Sequence, residues 1–164
     1  MEDAFAHHVW ATLRVIDACL SLSPQQLETS VPGTYGSILG TLRHLIGSDG
    51  WDLFVVTGDR ASLIDENDMP LSELRAAMES HGPGWSRLLT QDLDPDALLD
   101  EVDEDDGYER HIAMGIQLAQ VLHHGTDHRS QVCTALTALG VEPPHIDVLE
   151  FGMQAGRVVE ITPA

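Results

Sequence analysis

Apolar residues recur every three or four positions along most of this chain, the spacing that places side chains on one face of an α-helix. In the first such segment they are Phe5, Val9, Leu13, Ile16 and Leu20. The pattern returns in three more long segments and in a short one near the end. It predicts four long helices and one short helix, over about residues 2–22, 37–57, 72–89, 113–139 and 147–156.

Capping and turn residues mark the ends of these helices. Ser37 is a suitable N-cap for the second helix, and Gly140, followed by Pro143-Pro144, is a suitable stop for the fourth. Within the third helix, Gly82-Pro83-Gly84 is expected to interrupt the helix and kink it, because proline lacks a backbone donor.

An acidic stretch before the last long helix has a different pattern. Two short runs, Leu98–Val102 and Tyr108–Ile112, have extended character, and Asp105-Asp106-Gly107-Tyr108 is a plausible tight turn between them. A small hairpin and an irregular crossover both fit this pattern. The predicted fold is therefore all-α, a four-helix bundle with a short hairpin or irregular crossover before the last long helix. With 164 residues, 43% of them hydrophobic, the chain is expected to form a single domain over 1–164.

Charge narrows the possible partners. The formal net charge is −19, and the chain has no lysine. Such a surface repels phosphate backbones and anionic headgroups, so neither nucleic acid nor membrane is an expected partner. The start of the chain is acidic and no apolar run approaches the roughly 18 residues of a membrane span, so a cytoplasmic protein is expected. Cys19 and Cys133 lie in predicted helices and are expected to be buried small hydrophobes rather than a disulfide.

Two histidines of the last long helix are the strongest candidates for chemistry. His124 and His128 are four residues apart, so both rings leave the same helical face one turn apart and could chelate a metal. His44, in the apolar second helix, is the candidate third ligand. Its helical neighbours Gly40, Thr41, Gly47 and Ser48 are small, which would let another helix approach and leave room for an ion. The alternative for His44 is a core histidine with ordinary hydrogen bonds.

A row of polar residues accompanies the histidine pair along the last long helix: Gln117, Gln120, His124, His128 and Gln131. If this row is buried it must find hydrogen-bond partners, a metal or a water-filled cavity, because an unpaired buried polar group costs roughly 1–3 kcal/mol. The alternative is that the row faces solvent.

Other polar residues have less specific expectations. Asp49 could orient a ligand or a water, but a solvated or core-edge carboxylate is at least as plausible. His7 and His8 are placed at the mouth of a pocket without being ligands, and Arg129 is expected to form a structural ion pair. His123 and Asp127 are expected to form a surface or outer hydrogen bond. Ordinary surface positions are expected for His81, His111 and His145.

Three segments together resemble the DinB/YfiT-like family of metal-dependent proteins. They are Phe5-Ala6-His7-His8-Val9-Trp10, Gly40-Thr41-Leu42-Arg43-His44-Leu45 and His124-Gly125-Thr126-Asp127-His128-Arg129-Ser130-Gln131. Ser130 stands where the family usually has glycine. The resemblance implies a four-helix bundle with a three-histidine site at His44, His124 and His128, for zinc, nickel or another divalent metal, often in homodimers.

Two reactions would suit such a site. The metal could activate a water for hydrolysis, or it could bind a low-molecular-weight thiol for transfer to a small electrophilic substrate. The resemblance favours the second, because relatives include thiol-dependent S-transferases and isomerases. The leading hypothesis is a metal-dependent transferase. The alternatives are a metal-dependent hydrolase, a non-catalytic metal-binding or stress-associated protein, and a helical dimerisation module.

Overall fold

The structure, a computed structural model, describes residues 1–102 and 107–161. It is mostly helical with one two-stranded sheet, which confirms the predicted helical class. The helices are α1 (Glu2–Cys19), α2 (Pro24–Leu27), α3 (Ile38–Thr57), α4 (Leu71–Leu89), α5 (Met114–Ala138) and α6 (Val148–Gln154). The strands are β1 (Leu98–Val102) and β2 (Glu109–Ala113), and a 3-10 turn covers Arg60–Ser62.

The four long helices pack through their apolar faces. α1 lies against α4 and α5, and α3 also lies against α4 and α5. One core cluster includes Ile16, Leu42, Met78 and Leu136, at most 1% exposed. A second, toward the other end, is built around Phe5, Leu53, Trp85, Leu118 and Val121. Burial of each large apolar side chain stabilises the fold by roughly 1.5–3 kcal/mol, so these clusters fix how α3 and α5 face each other.

Helix ends follow local capping chemistry. Ser37 Oγ accepts a hydrogen bond from the Gly40 N–H at 3.1 Å, which confirms the predicted N-cap of α3. The same helix ends at Gly58, whose φ of 71° is the left-handed conformation that glycine adopts readily. α1 ends at Cys19, three residues before the predicted end, and a capping box formed by Ser23 and Gln26 starts α2.

α4 corrects one prediction, because it runs without interruption from Leu71 to Leu89 with Pro83 inside it. One of the two flanking glycines is required by packing. A Cβ at Gly84 would lie 2.7 Å from Leu53 Cδ2, whereas one at Gly82 would be in ordinary van der Waals contact, 3.5 Å from Val9 Cγ1. Gly84 therefore lets α3 approach α4 closely, and the Gly82-Pro83-Gly84 sequence does not end the helix.

The acidic stretch forms the hairpin rather than the irregular crossover. β1 and β2 pair antiparallel, with Leu98 opposite Ala113 and Val102 opposite Glu109. β2 begins one residue later than the predicted run. The predicted turn at Asp105-Asp106-Gly107-Tyr108 lies partly outside the described residues, since Asp105 and Asp106 are not among them. The hairpin leads directly into α5 and lies against α3.

The short C-terminal helix α6 is present as predicted. Asp147 is its N-cap, and the Asp147 side chain accepts a hydrogen bond from the backbone N–H of Leu149 at 2.7 Å. α6 packs against α1 through Phe151, which contacts the rings of His7 and Trp10. Cys19 is buried, and burial raises the pKa of its thiol to about 12, which confirms its role as a small apolar residue. None of the helices in the described part of the chain is long and apolar enough to cross a lipid bilayer.

Candidate metal centre

The structure brings the three predicted histidines together. His124 Nε2 lies 3.1 Å from His44 Nε2 and 3.0 Å from His128 Nε2. His124 and His128 leave α5 one turn apart, and His44 faces them from α3 across the contact between the two helices. The three ring nitrogens lie within 4.8 Å of one another. The helix pairing thus converts two sequence-distant segments into one cluster of imidazole donors.

The tautomer of His128 follows from its neighbours. The backbone N–H of Tyr35 donates to Gln131 Oε1 at 3.0 Å, which identifies that atom as the carbonyl oxygen of the side chain. His128 Nδ1 lies 3.0 Å from the same oxygen and must therefore carry the proton. Its Nε2 consequently presents a lone pair to the other two rings. Gln131 thus fixes the orientation and the tautomer of one of the three imidazoles.

Two of the rings, those of His44 and His124, have lowered pKa values. Burial, followed by the neighbouring His128 and His44, lowers the pKa of His124 to about 4. Burial and His128 lower the pKa of His44 as well. Protonation of His44 or His124 is thus disfavoured by partial burial and by the neighbouring rings, so at neutral pH the nitrogens of these two side chains keep their lone pairs.

The donor set fits a divalent transition metal. One proton on His124 Nε2 cannot point at both neighbouring nitrogens, whereas a cation between the rings would accept a lone pair from each. Nitrogens about 2.0–2.1 Å from a tetrahedral zinc lie roughly 3.3 Å apart, close to the spacing found here. The cluster is therefore compatible with a metal site.

Tyr35 covers the cluster from the loop before α3. Its ring stacks on His44 with 4.2 Å between ring centroids and 10° between the planes, and it meets His128 edge-on. The same residue donates its backbone N–H to Gln131. Tyr35 thus contacts His44 and His128, and it also bonds Gln131, whose side chain orients His128.

A cavity of about 1050 Å³ opens beside the cluster. His44 and His124 form part of its wall, together with residues of α3, the hairpin and the loop after α3. Glu66, from that loop, occupies the space that a side chain at residue 47 would fill. The small residue at Gly47 therefore accommodates a carboxylate from the loop, whereas the sequence predicted room there for a helix or an ion.

The polar row on α5 mostly faces inward. Gln117 is buried and donates to Asp52 Oδ1 at 2.7 Å, while Gln131 is half-buried against His128. Gln120 is exposed but borders the cavity. The solvent-facing alternative is therefore wrong for the row as a whole.

A second polar cluster lies in the core behind the three histidines. Asp49 is 2% exposed and accepts hydrogen bonds from His8 Nε2 at 2.9 Å, from His81 Nδ1 at 2.8 Å and from the Trp85 indole at 3.2 Å. Neither a solvated nor a core-edge carboxylate describes it. His81, predicted at the surface, and His8, predicted at a pocket mouth, are each 1% exposed. Both predictions are wrong.

The charges of this core cluster follow from its hydrogen bonds. His81 Nε2 faces the Ser62 carbonyl oxygen at 3.1 Å and its Nδ1 faces Asp49, so both nitrogens carry protons and the ring is cationic. Burial acts to raise the pKa of Asp49. The hydrogen bonds from His8 and His81 outweigh this effect and hold that pKa well below its usual range. A buried ion pair between α3 and α4 results.

Arg129 joins this cluster instead of forming the predicted ion pair. Its Nη1 donates to His8 Nδ1 at 2.9 Å and to Thr12 Oγ1 at 3.1 Å, and among the described residues it meets no carboxylate directly. Burial lowers the pKa of Arg129 to about 10, and Asp49 acts against that shift. The guanidinium thereby fixes the tautomer of His8.

The remaining histidine predictions have mixed outcomes. His111 and His145 are exposed as expected, and His111 lies 2.7 Å from Asp100. His123 and Asp127 are both exposed. His7 donates to the Ile146 carbonyl oxygen at 2.8 Å and packs against aromatic rings, away from the cavity wall.

Gly125, between the two histidines of α5, offers a test of this packing. A glycine-to-alanine change inside a helix ordinarily stabilises it by about 1 kcal/mol. Here the new Cβ would collide with the His8 ring and lie 2.8 Å from Arg129 Nη1. Overpacking costs about 1–3 kcal/mol, so we expect Gly125→Ala to lower the free energy of unfolding in urea by about 1 kcal/mol net. A gain in stability would contradict the close contact.

This geometry defines a helical protein with a three-histidine cluster beside an open cavity. Comparison with known families gives its class: the sequence model of the DinB family matches residues 1–159. The chain belongs to the DinB family. It matches none of the curated proteins with which it was compared.

Proposed function

We propose that His44, His124 and His128 bind one divalent transition metal, zinc or nickel, through their Nε2 atoms. The observation that carries this proposal is the convergence of three imidazole nitrogens within 4.8 Å. The lowered pKa values of His44 and His124 and the hydrogen bond that orients His128 support it. Family membership agrees with it.

We further propose that the protein is a metal-dependent enzyme acting on a small molecule. Among residues 1–102 and 107–161, the cluster contains three candidate ligands and no fourth histidine, cysteine or carboxylate. Three protein ligands leave a coordination position open, as in catalytic sites, and the adjoining cavity can admit a substrate. The bound metal would supply Lewis-acid activation of a nucleophile.

The first reaction to test is transfer of a low-molecular-weight thiol to a small electrophile. Hydrolysis of an activated ester is the alternative, and a non-catalytic metal-binding role is the third. Turnover of a thiol with an electrophile by the zinc- or nickel-loaded protein, lost in His124→Ala/His128→Ala, would establish the transferase. Ester turnover without thiol would establish the hydrolase instead.

Three broader proposals accompany this function. We propose that the four long helices form a four-helix bundle, that residues 1–164 form one domain, and that the protein works as a cytoplasmic homodimer. The packing of α1 and α3 against α4 and α5 supports the bundle, and the family match over 1–159 supports the single domain. Light scattering after size exclusion tests the dimer.

Metal content tests the central proposal. We expect elemental mass spectrometry of the untagged protein, incubated with zinc or nickel and desalted, to find about one equivalent per chain. The His124→Ala/His128→Ala variant should retain none. His123→Ala/His145→Ala, which changes two exposed histidines, should retain the full equivalent. A wild-type protein without metal would overturn the proposal.

The hydrogen bond from His128 to Gln131 gives a graded prediction. Removing a residue that orients a metal ligand typically lowers metal affinity about 10- to 100-fold. We expect Gln131→Ala to show this loss in a competition titration with a chromophoric chelator, at unchanged stoichiometry. Gln120 borders the same cavity without bonding a histidine, so Gln120→Ala should leave the metal affinity unchanged. Equal losses in both variants would contradict the orienting role.

A further inference from the structure

The described residues include three buried carboxyl groups, and they differ in how their charge is balanced. They are Asp49, Asp52 and Glu101. Asp49 is paired with the cationic His81, and Glu101 accepts from Arg110 at 2.7 Å and from the Trp51 indole at 2.8 Å. Asp52 forms no ion pair with any described residue. Its one hydrogen-bond partner there is the neutral amide of Gln117.

Asp52 is anchored at one oxygen and open at the other. Its residue is 9% exposed, and Oδ1 accepts from Gln117 Nε2 at 2.7 Å. Oδ2 has no hydrogen-bond partner among the described residues, and it is not enclosed by protein because Asp52 forms part of the cavity wall. A carboxyl oxygen in this position faces whatever occupies the cavity.

The surroundings make a lone negative charge at Asp52 unfavourable. Burial, then Asp49 and Glu101, raise the pKa of Asp52 to about 7, and Gln117 and Arg110 oppose the shift. A buried carboxylate without a cation is costly, so either a proton or a positively charged ligand must neutralise it. The charged and titratable groups around it come from every neighbouring element: Asp49, Arg60, Glu66, Asp100, Glu101, Arg110, and His8 and His81 behind Asp49.

Asp52 and two of the clustered histidines, His44 and His124, line the same cavity but lie well apart along α3 and α5. Asp52 follows His44 by eight residues on α3, and Gln117 precedes His124 by seven on α5. At 1.5 Å per residue these separations are about 12 Å and about 10 Å. Leu63 and Ile64 are apolar parts of the wall. The cavity wall therefore includes a buried carboxyl group, apolar side chains and, about 10–12 Å away along the helices, imidazole nitrogens.

We propose that Asp52 binds the ammonium group of a small aliphatic amine lying in this cavity. The amine's N–H groups donate to Oδ2, and its hydrocarbon part lies along Leu63 and Ile64. If the three histidines hold a metal, as proposed above, the other end of the ligand points toward that metal. Only this last statement rests on the proposed function.

Isothermal titration calorimetry with n-hexylamine tests the proposal on the full-length protein as purified. An ammonium that takes the place of the proton on Asp52 releases it, so we expect about one proton released per amine bound at pH 6 and none at pH 9. Titrations at pH 6 in phosphate and in MES, which differ in ionisation enthalpy, measure the release. n-Hexanol should bind at least about tenfold more weakly, because it lacks the charge.

Variants assign the effect to Asp52. We expect Asp52→Asn to lose at least about tenfold in hexylamine affinity and to release no proton. Asp100→Asn changes an exposed carboxylate in the same cavity wall and should preserve both. Equal affinity for hexylamine and hexanol, an unaffected Asp52→Asn variant, or no binding at millimolar amine would overturn the proposal.

The same titration separates this proposal from the metal site. We expect His124→Ala/His128→Ala, which removes two of the three candidate ligands, to keep hexylamine binding and its proton release. Loss of amine binding there would contradict an independent subsite at Asp52. Loss of metal alone would leave the subsite intact.

Discussion

Asp49→Asn should lower the free energy of unfolding by about 3–5 kcal/mol at pH 7, the range measured when one partner of a buried ion pair is removed. Asp49 accepts hydrogen bonds from His8, His81 and Trp85, which come from α1 and α4. An amide at this position leaves the cationic His81 buried without its counterion. It also directs N–H groups at neighbouring donors, so two helices lose their polar link to α3.

Urea unfolding followed by circular dichroism measures this effect. Asp127→Asn removes an exposed carboxylate from α5 and should change the unfolding free energy by less than about 0.5 kcal/mol. If Asp49→Asn and Asp127→Asn lower the unfolding free energy by the same small amount, the hydrogen bonds to Asp49 do not stabilise the fold.

The pH dependence of the Asp49 contribution has a defined sign. Its pKa in the folded protein is depressed, so its contribution is present above the unfolded pKa of about 4 and is lost as the pH falls through the folded value. Wild type and Asp49→Asn should therefore approach each other in stability at low pH. A difference that grows on acidification would contradict the hydrogen-bonded carboxylate.

Asp52→Asn, only three residues along the same helix, should act in the opposite direction. The pKa of Asp52 is raised to about 7, so between about pH 4 and 7 the folded protein holds a proton that the unfolded chain has released. Wild-type stability therefore falls as the pH rises through that window. A difference of about three pKa units corresponds to a loss of at most about 4 kcal/mol in the free energy of unfolding. We expect Asp52→Asn to recover much of this loss at pH 8.

Urea unfolding at pH 5 and pH 8 tests the sign. The gain in Asp52→Asn should be several times larger at pH 8 than at pH 5. Asp100→Asn is the matched control because its carboxylate is exposed beside His111, and it should show no such gain. A destabilised Asp52→Asn at pH 8 would show that the carboxylate is well compensated in the free protein.

Much of the fold follows from local sequence patterns. The apolar period locates the long helices, Ser37 caps α3, and the two extended runs pair as β1 and β2. The spacing of His124 and His128 places them on one face of α5 because a helical turn fixes that relation. His44 was matched to them by its apolar helix and by the family resemblance. Their meeting depends on the pairing of α3 with α5.

The polar cluster around Asp49 could not be predicted from the sequence in the same way. His81 lies at the helical spacing of Leu74, Met78 and Trp85, so the apolar pattern of α4 indicates that His81 is buried. Because a break was expected at Gly82-Pro83-Gly84, His81 was predicted to lie at an exposed helix end instead. Asp49 lies within a strongly apolar helix, but its partners come from α1 and α4, up to 41 residues away. Only tertiary packing identifies such partners, and the same holds for Gln117 with Asp52, 65 residues apart.

The contact of Glu66 with Gly47 has a consequence for the charge beside the histidine cluster. The Glu66 carboxylate occupies the position that a Cβ at residue 47 would take, one turn beyond His44. The atoms nearest to such a Cβ all belong to the end of the flexible Glu66 side chain, so a larger residue at 47 would turn this carboxylate away without moving the backbone of the loop. His44, Gly47 and Glu66 all line the cavity. The glycine at residue 47 therefore allows a negative charge to lie close to His44 in the cavity wall.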